Sequence, residues 1–266
     1  MNSVQDFFVS TYTYRRLIVE LSWSTLFTRY RRSSLGILWS VVAPLTTVAV
    51  WLGMHQAGII APGYTLAPYW IYLLTGVTIF NLFVSTYDAV SHSITSNAPL
   101  LLDTTIPPAI YIVESLLTNT IRFLILFGCA VVVIVASGYR LPLAAICLPL
   151  LLLPLVLVAL AAGMLFALFR VVLLDLTLAV DRLLPLVLYL LPVVYTARTP
   201  SVALHRLIRY DPLSYLVAIP RDAMLYGTLP TLGLFIGILL ASLLLMAAAI
   251  HFFMRSHILI VEKLLT

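Results

Sequence analysis

Long uninterrupted runs of apolar residues dominate the pattern along this chain. Because about 20 apolar residues in a helix cross the roughly 30 Å hydrocarbon core of a bilayer, such runs predict membrane-spanning helices. The runs are continuous rather than alternating, which favours helices over a transmembrane barrel. The predicted fold class is therefore all-α, a polytopic membrane protein with about six transmembrane helices. The six spans are expected at residues 35–56, 68–91, 110–136, 143–169, 183–197 and 230–254.

The segment ahead of the first run is amphipathic rather than apolar throughout. Four of its side chains fall at helical spacing on one face: Tyr14, Leu17, Ile18 and Leu21. This spacing predicts a cytoplasmic interfacial helix within residues 1–34, and a loosely ordered tail is the alternative. Residues 35–266 are then expected to form a single transmembrane domain. The junction carries basic and aromatic anchors and small residues that form an interface or pivot: Arg31, Arg32, Leu35, Gly36 and Trp39.

Two connections between spans have the pattern of short helices. In the first, Ser96 and Asn97 stand before Pro99, as is typical of a helix start. The helix would present Leu100, Leu101 and Leu102, followed by Asp103, to a covering partner. In the second connection, residues 198–229 hold two amphipathic stretches joined at Asp211-Pro212. They are too short to span and predict extracytoplasmic re-entrant elements that suit a gate.

One face of the second span is aromatic. It carries five rings at helical spacing: Tyr69, Tyr72, Phe80, Phe83 and Tyr87. Aromatic faces stack on the C–H faces of sugar rings, so this stripe could line a glycan channel. Ordinary helix packing together with an interfacial aromatic belt is the alternative.

Composition and charge place the chain in the membrane and orient it there. Hydrophobic residues make up 62% and charged residues 9%, against about 25% charged residues in soluble domains. Nine lysines and arginines lie on the side of the two termini and five on the other. The positive-inside rule then predicts cytoplasmic N- and C-termini. The net charge of +5 indicates orientation and contact with membrane lipids, and nucleic acid is not an expected partner.

Arg122 is predicted to lie at membrane depth in the third span. Such a charge usually faces the bundle interior or a wet cavity. Glu114 or a residue on another span is the expected partner for a structural ion pair.

Motifs for catalysis and metal binding are absent from the sequence. The single lysine, Lys263, follows no glycine-rich phosphate loop, and no zinc-protease or hydrolase signature occurs. Asp175 and Asp181 have Arg170 and Arg182 nearby for pairing, so they do not predict a catalytic site. No catalytic residue, metal or cofactor is expected on this chain. Transport against a gradient would need energy from another chain.

Several segments together resemble the membrane subunits of bacterial ABC-type polysaccharide exporters. In chain order they are RYRRSSLGILW at 29–39, LPVVY at 191–195, DPLSYL at 211–216, RDAMLYG at 221–227 and the ending from Arg255 to Lys263. Two departures stand out. Asp211 replaces the usual Asn of the family, and the Arg-Asp pair after the fourth span is here spread out as Arg170 and Asp175.

The resemblance implies a homodimeric permease of the bacterial inner membrane, bound to two copies of a separate ATP-binding subunit. That subunit would hold ATP and magnesium and hydrolyse the ATP, so this chain would not be an enzyme. Residues 96–107 would be the helix that couples to the ATPase, and a lipid-linked polysaccharide would be the cargo. The gate would be formed by Leu204, Leu207, Asp211, Pro212, Tyr215, Arg221 and Asp222.

Two other functions remain open on the residues alone. A related ABC permease for drugs or small lipids would share the same architecture. A membrane-embedded enzyme of glycan assembly would need clustered acids or histidines, which the sequence does not offer. If the chain is a polysaccharide export permease, its cargo could be O-antigen, capsule or teichoic acid.

Overall fold

The computed structural model describes residues 3–31, 38–60, 63–103, 106–195 and 211–265. Within these ranges every regular element is a helix, which confirms the all-α fold class. The α-helices are α1 Ser3–Thr13, α2 Arg15–Arg31, α3 Leu38–Gln56, α4 Tyr69–Ser96, α5 Ala98–Asp103, α6 Ala109–Ala136, α7 Leu148–Val172, α8 Leu174–Leu183, α9 Pro212–Tyr226 and α10 Leu232–Leu265. Two 3-10 helices, Leu143–Cys147 and Leu184–Tyr189, precede α7 and follow α8.

Four helices in the described ranges are long and apolar enough to cross a membrane. They are α4, α6, α7 with the 3-10 turn before it, and α10 as far as Ser256. The first predicted span, 35–56, contains the 19 residues of α3. A count of six spans therefore stays a prediction, while the length and composition of these four helices indicate a membrane protein.

The predicted fifth span, 183–197, does not form a continuous α-helix. The α-helix ends at Leu183, a 3-10 helix covers Leu184–Tyr189, and turns follow as far as residue 195. Pro185 and Pro192 explain the difference, because proline lacks the N–H group that a helix needs and crowds the preceding turn. Irregular backbone is tolerated in a membrane only where protein or water satisfies its polar groups.

Helix α4 lies at the centre of the bundle and packs against α7, α6 and α3. Its contact with α7 is close at Gly163, where an added Cβ would stand 2.8 Å from the Cβ of Val90 and 3.1 Å from the carbonyl of Tyr87. Only glycine permits this approach without displacement of the helices. The absence of a side chain at Gly163 therefore sets the distance between α4 and α7, the two most extensively packed spans.

The bundle has two ends, named here by the short helices that lie there. The α5 end holds the last turns of α4 and the first turns of α6, and the α9 end holds Tyr69, at the start of α4, and Tyr139. The Tyr139 hydroxyl donates to the carbonyl of Leu225, at 2.8 Å. Burial raises the pKa of Tyr139, so this phenol keeps its proton and remains a donor.

The N-terminal segment is helical, as its spacing predicts, and its apolar face contacts protein. Helix α1 packs on α10 and α2 packs on α6. Ile18 is buried, whereas Arg15, Arg16 and Glu20 are exposed. The outer face carries exposed aromatic side chains: Phe8, Tyr12, Trp23 and Phe27. A position of this segment in the cytoplasmic membrane interface remains a prediction.

Candidate functional site

A buried ion pair joins α7 and α8 at the α5 end of the bundle. Arg170 donates from Nη2 to both carboxylate oxygens of Asp181, at 2.9 Å to Oδ1 and 2.8 Å to Oδ2. Its Nε donates to the carbonyl of Ser91, at 3.2 Å, and Nη2 to the Ser91 hydroxyl, at 3.3 Å. The arginine side chain is 4% exposed and the aspartate 18%. The pair therefore ties α8 to α4 and α7.

The partner of Arg170 differs from the one that the family pattern implied. Asp175 is exposed on α8, and the carboxylate that pairs is that of Asp181, eleven residues after Arg170. Helix α8 starts after a break in the helical backbone at Leu173 and turns back. This brings the carboxylate of Asp181, rather than that of Asp175, to the end of α7. Arg170 and Asp175 are therefore not the pair in this chain.

Two further side chains of α4 approach the same carboxylate. The Tyr87 hydroxyl donates to Asp181 Oδ1 at 3.4 Å. His92 places Nε2 3.8 Å from Asp181 Oδ2 and Nδ1 3.2 Å from Asp88 Oδ1. The sequence did not place a histidine beside Asp181, because residues 92 and 181 approach each other only where α8 packs against the end of α7.

At the opposite end, side chains of α4 and α9 bind the irregular backbone that follows the second 3-10 helix. Tyr69 donates to the carbonyl of Val194 at 2.7 Å. Tyr72 donates to the carbonyls of Pro192, at 3.0 Å, and Tyr195, at 3.2 Å. The carbonyls that a continuous helix would have satisfied internally are thus satisfied by tyrosine hydroxyls.

Arg221 of α9 completes this arrangement. Its guanidinium lies over the ring of Tyr72, 4.1 Å from the ring centroid, and Nη1 donates to the carbonyl of Pro192. Asp222 accepts from Arg221 Nε at 2.9 Å. An added Cβ on Gly76 would stand 3.1 Å from the side chain of Val193, so α4 also approaches the segment closely.

Helix α9 forms the second predicted gate helix, with the expected ends. Asp211 accepts from the backbone N–H groups of Leu213 and Ser214, at 3.1 and 3.0 Å, which makes it the N-cap. Pro212 occupies the first helical position, and Gly227 stops the helix with φ of 73°. Tyr215 is exposed. The first predicted gate helix, with Leu204 and Leu207, lies outside the described residues.

The aromatic stripe packs inside the bundle. Tyr72, Phe80, Phe83 and Tyr87 are each at most 6% exposed. Phe80 stacks on Phe83 with centroids 6.4 Å apart, and Tyr87 contacts Phe166 edge to face. Four of the five rings are therefore largely packed against protein within this protomer, and a role of the stripe in lining a glycan channel stays a prediction.

Helix α5 presents a narrower surface than its three leucines predict. Leu100 is 46% exposed, but Leu101 is 6% exposed and packs into the core that includes Ile94 and Ile250. The Asn97 side chain donates back to the carbonyl of Ser93 at 2.8 Å, and its own backbone carbonyl accepts from the N–H of Leu101 at 3.0 Å, so Asn97 both ends α4 and starts α5. Ser96 is exposed at the end of α4.

Several predicted positions lie wholly or partly beyond the described residues. The side chains of Leu102 and Asp103, and those of Arg31 and Trp39, are among them. Arg32, Leu35 and Gly36 are outside the described ranges altogether.

A cavity of about 570 Å³ with both polar and apolar walls lies between α3, α4, α6, α8 and the start of the second 3-10 helix. Its polar lining comes from Asn81, Ser85, Asp88, Asn119, Arg122 and Asp181. Tyr87, at the end of the aromatic stripe, also contributes to the wall.

Glu114 does not pair with Arg122, because it accepts instead from the hydroxyls of Thr118, at 2.9 Å, and Ser115, at 3.3 Å. Of the two possibilities left open for Arg122, Glu114 is therefore not the partner, and none of the ion pairs within the described ranges joins Arg122 to another span.

Sequence reasoning did not identify Asn81, Ser85 and Asn119 as site residues. A polar face was nonetheless present in the sequence: Asn81, Ser85 and Asp88 recur at helical spacing in an apolar span, as do Asn119 and Arg122. Over the described ranges, no group of three His, Cys, Asp or Glu side chains is placed to hold a metal ion.

The fold defines a polytopic helical membrane protein, and comparison with known proteins indicates which class of membrane protein it resembles. No protein-family model matches the chain. It is similar to the O-antigen export system permease protein RfbA of Klebsiella pneumoniae, with 25% identity over 216 residues. The match covers 80% of this chain and 82% of that protein. This similarity supports the resemblance to ABC polysaccharide-export permeases that the motifs indicate.

Proposed function

We propose that this chain is the transmembrane subunit of an ATP-driven exporter that moves lipid-linked polysaccharide from the cytoplasm across the inner membrane. It would act as a homodimer with two copies of a separate ATP-binding subunit and with both termini in the cytoplasm. The observation that carries the proposal is the similarity to an O-antigen export permease along four fifths of a chain that is itself a helical membrane bundle.

Helix α5 is the proposed contact with the ATP-binding subunit. It is a six-residue helix between two spans, at the end of the bundle where α1 also packs. Leu100 is the leucine of α5 with a described, exposed side chain, whereas Leu101 anchors the helix to the bundle. A motion of the ATPase against Leu100 would therefore be passed to α4 and α10 through Leu101.

The segment 184–195 and helix α9 are the proposed gate at the other end. Arg221 of α9 donates to the Pro192 carbonyl of the segment, and apolar side chains of both elements share one buried core with α4. Tyr72 of α4 binds the same stretch of backbone, so one group of contacts holds the segment and α9 together. We place the gate, and the extracytoplasmic side, at this α9 end.

The test uses a strain whose own polysaccharide export permease is deleted and which expresses this chain with its ATP-binding subunit. Surface polysaccharide is measured by immunoblot, and ATP hydrolysis is measured on the purified complex in nanodiscs. The proposal expects export that requires both subunits and no ATPase activity from this chain alone. Absence of export with a correctly inserted, assembled complex would contradict it.

Leu100→Ala tests the coupling surface in the same system. We expect export to fall while the protein level stays normal, because the side chain is exposed and contributes little to folding. Leu240→Ala is the matched control, since Leu240 of α10 is similarly exposed, at 55%, but lies on a membrane-spanning helix. Equal export from both variants would remove α5 from the coupling role.

A permease for small lipids or drugs is the second candidate, and the burial of the aromatic stripe favours it over a glycan conduit lined by these rings. The two candidates differ in their cargo. Export of the lipid carrier without its glycan, by the same reconstituted complex, would favour the second.

A further inference from the structure

The 570 Å³ cavity contains an arginine whose charge is not balanced within the described part of the chain. Arg122 follows Ala109, the first residue of α6, by thirteen positions, which places it about 20 Å along the helix axis. Its Nε is buried without a hydrogen-bond partner, and none of the ion pairs within the described ranges includes it. A charge at such depth is costly unless a partner or ligand compensates it.

The acids on the elements around the cavity are already engaged with other side chains. Asp181 is held by Arg170, and Asp88 lies 3.2 Å from His92. Glu114, two turns before Arg122, accepts from two hydroxyl groups. The arrangement leaves one guanidinium facing a cavity that also contains the side-chain amides of Asn81 and Asn119 and the Ser85 hydroxyl.

We propose that this cavity binds the phosphoryl group that joins the transported glycan to its lipid, with Arg122 as the principal ligand. A guanidinium presents a planar fork of donors that matches phosphate oxygens. The side-chain amides of Asn81 and Asn119 can add neutral donors beside it, because an amide has two N–H groups and Asn119 uses only one of them to bind Thr86. The volume lies within the roughly 300–1,000 Å³ of small-molecule sites, so it can hold a diphosphate and part of an attached sugar. The identity of this ligand rests on the proposed function.

Binding is measured with purified chain in phosphatidylcholine nanodiscs. The probes are farnesyl diphosphate, uncharged farnesol and inorganic diphosphate. We expect farnesyl diphosphate to bind and Arg122→Gln to weaken it by about tenfold or more, because a charge-assisted hydrogen bond to phosphate is lost. Arg140→Gln is the matched control, since Arg140 is exposed outside the cavity and its loss leaves binding unchanged.

Two further measurements separate binding from folding. In the absence of probe, Arg122→Gln is expected to raise the melting temperature, since it removes an unbalanced charge. Asn81→Asp keeps the size of the side chain but places a negative charge in the cavity, and should also abolish diphosphate binding. A variant that unfolds is thereby distinguished from one that has lost its ligand.

Each outcome decides the proposal. Arg122-independent binding of farnesyl diphosphate, or equal binding of farnesol, overturns it. Equal, Arg122-dependent binding of inorganic diphosphate rejects the lipid-linked source. Failure of the proposed function appears separately, as absence of export by the wild-type complex, and leaves the Arg122-dependent binding measurement standing.

Discussion

Replacing Asp181 by asparagine would leave the Arg170 guanidinium buried without a counter-charge. The asparagine keeps the shape of the side chain and one acceptor oxygen, so the change isolates the charge. Arg170 is 4% exposed at its side chain and has two further hydrogen bonds to Ser91 that hold it in place. It therefore cannot turn to solvent without breaking the junction of α4, α7 and α8.

The expected cost is about 3 kcal/mol in the free energy of unfolding. Breaking a buried pair on one side usually costs roughly 3–5 kcal/mol, and the lower end applies because the Asp181 side chain is 18% exposed. This corresponds to a change of more than about 100-fold in the unfolding equilibrium. Replacing both partners by apolar side chains, as in Arg170→Met with Asp181→Leu, should recover most of the loss.

Reversible unfolding in mixed micelles, followed by circular dichroism, measures these differences. Asp175→Asn is the matched control, because Asp175 lies on the same helix but is exposed. Its effect should be well under about 1 kcal/mol. If Asp175→Asn and Asp181→Asn destabilise the protein equally, the reasoning from a buried pair is refuted.

Three further changes test the packing and the irregular segment. Gly163→Ala places a Cβ 2.8 Å from that of Val90 and should lower the melting temperature, whereas Gly237→Ala meets no atom within 4 Å and should not. Tyr72→Phe removes a donor from two backbone carbonyls of the 190–195 segment and should cost about 1–2 kcal/mol in chemical unfolding; an unchanged stability would show that these carbonyls are satisfied in another way. Asp211→Ala should cost about 1 kcal/mol in the same assay, and Asp211→Asn much less, because asparagine also caps helices; equal effects of the two changes would contradict the capping role.

The sequence by itself determined the membrane class, the helical fold and the approximate positions of the long apolar helices. These depend on local properties: the length of an apolar run, the cap at Asp211 and the stop at Gly227. The positions of four spans follow from hydrophobicity alone, since lipid requires each run to satisfy its own backbone. The motif resemblance is likewise a property of the linear chain.

Tertiary structure decided which side chains meet. Arg170 could have paired with Asp175 by spacing, yet the turn into α8 selected Asp181. The aromatic stripe was visible as a pattern, but only packing decided that four of its rings are buried in the protomer and that Tyr87 also lies at the wall of the cavity. Likewise, the sequence predicted the depth of Arg122 in the membrane, but it did not predict the cavity that Arg122 lines. Local propensity is set within a few residues, whereas burial and pairing arise from helices whose contact residues are far apart in the chain.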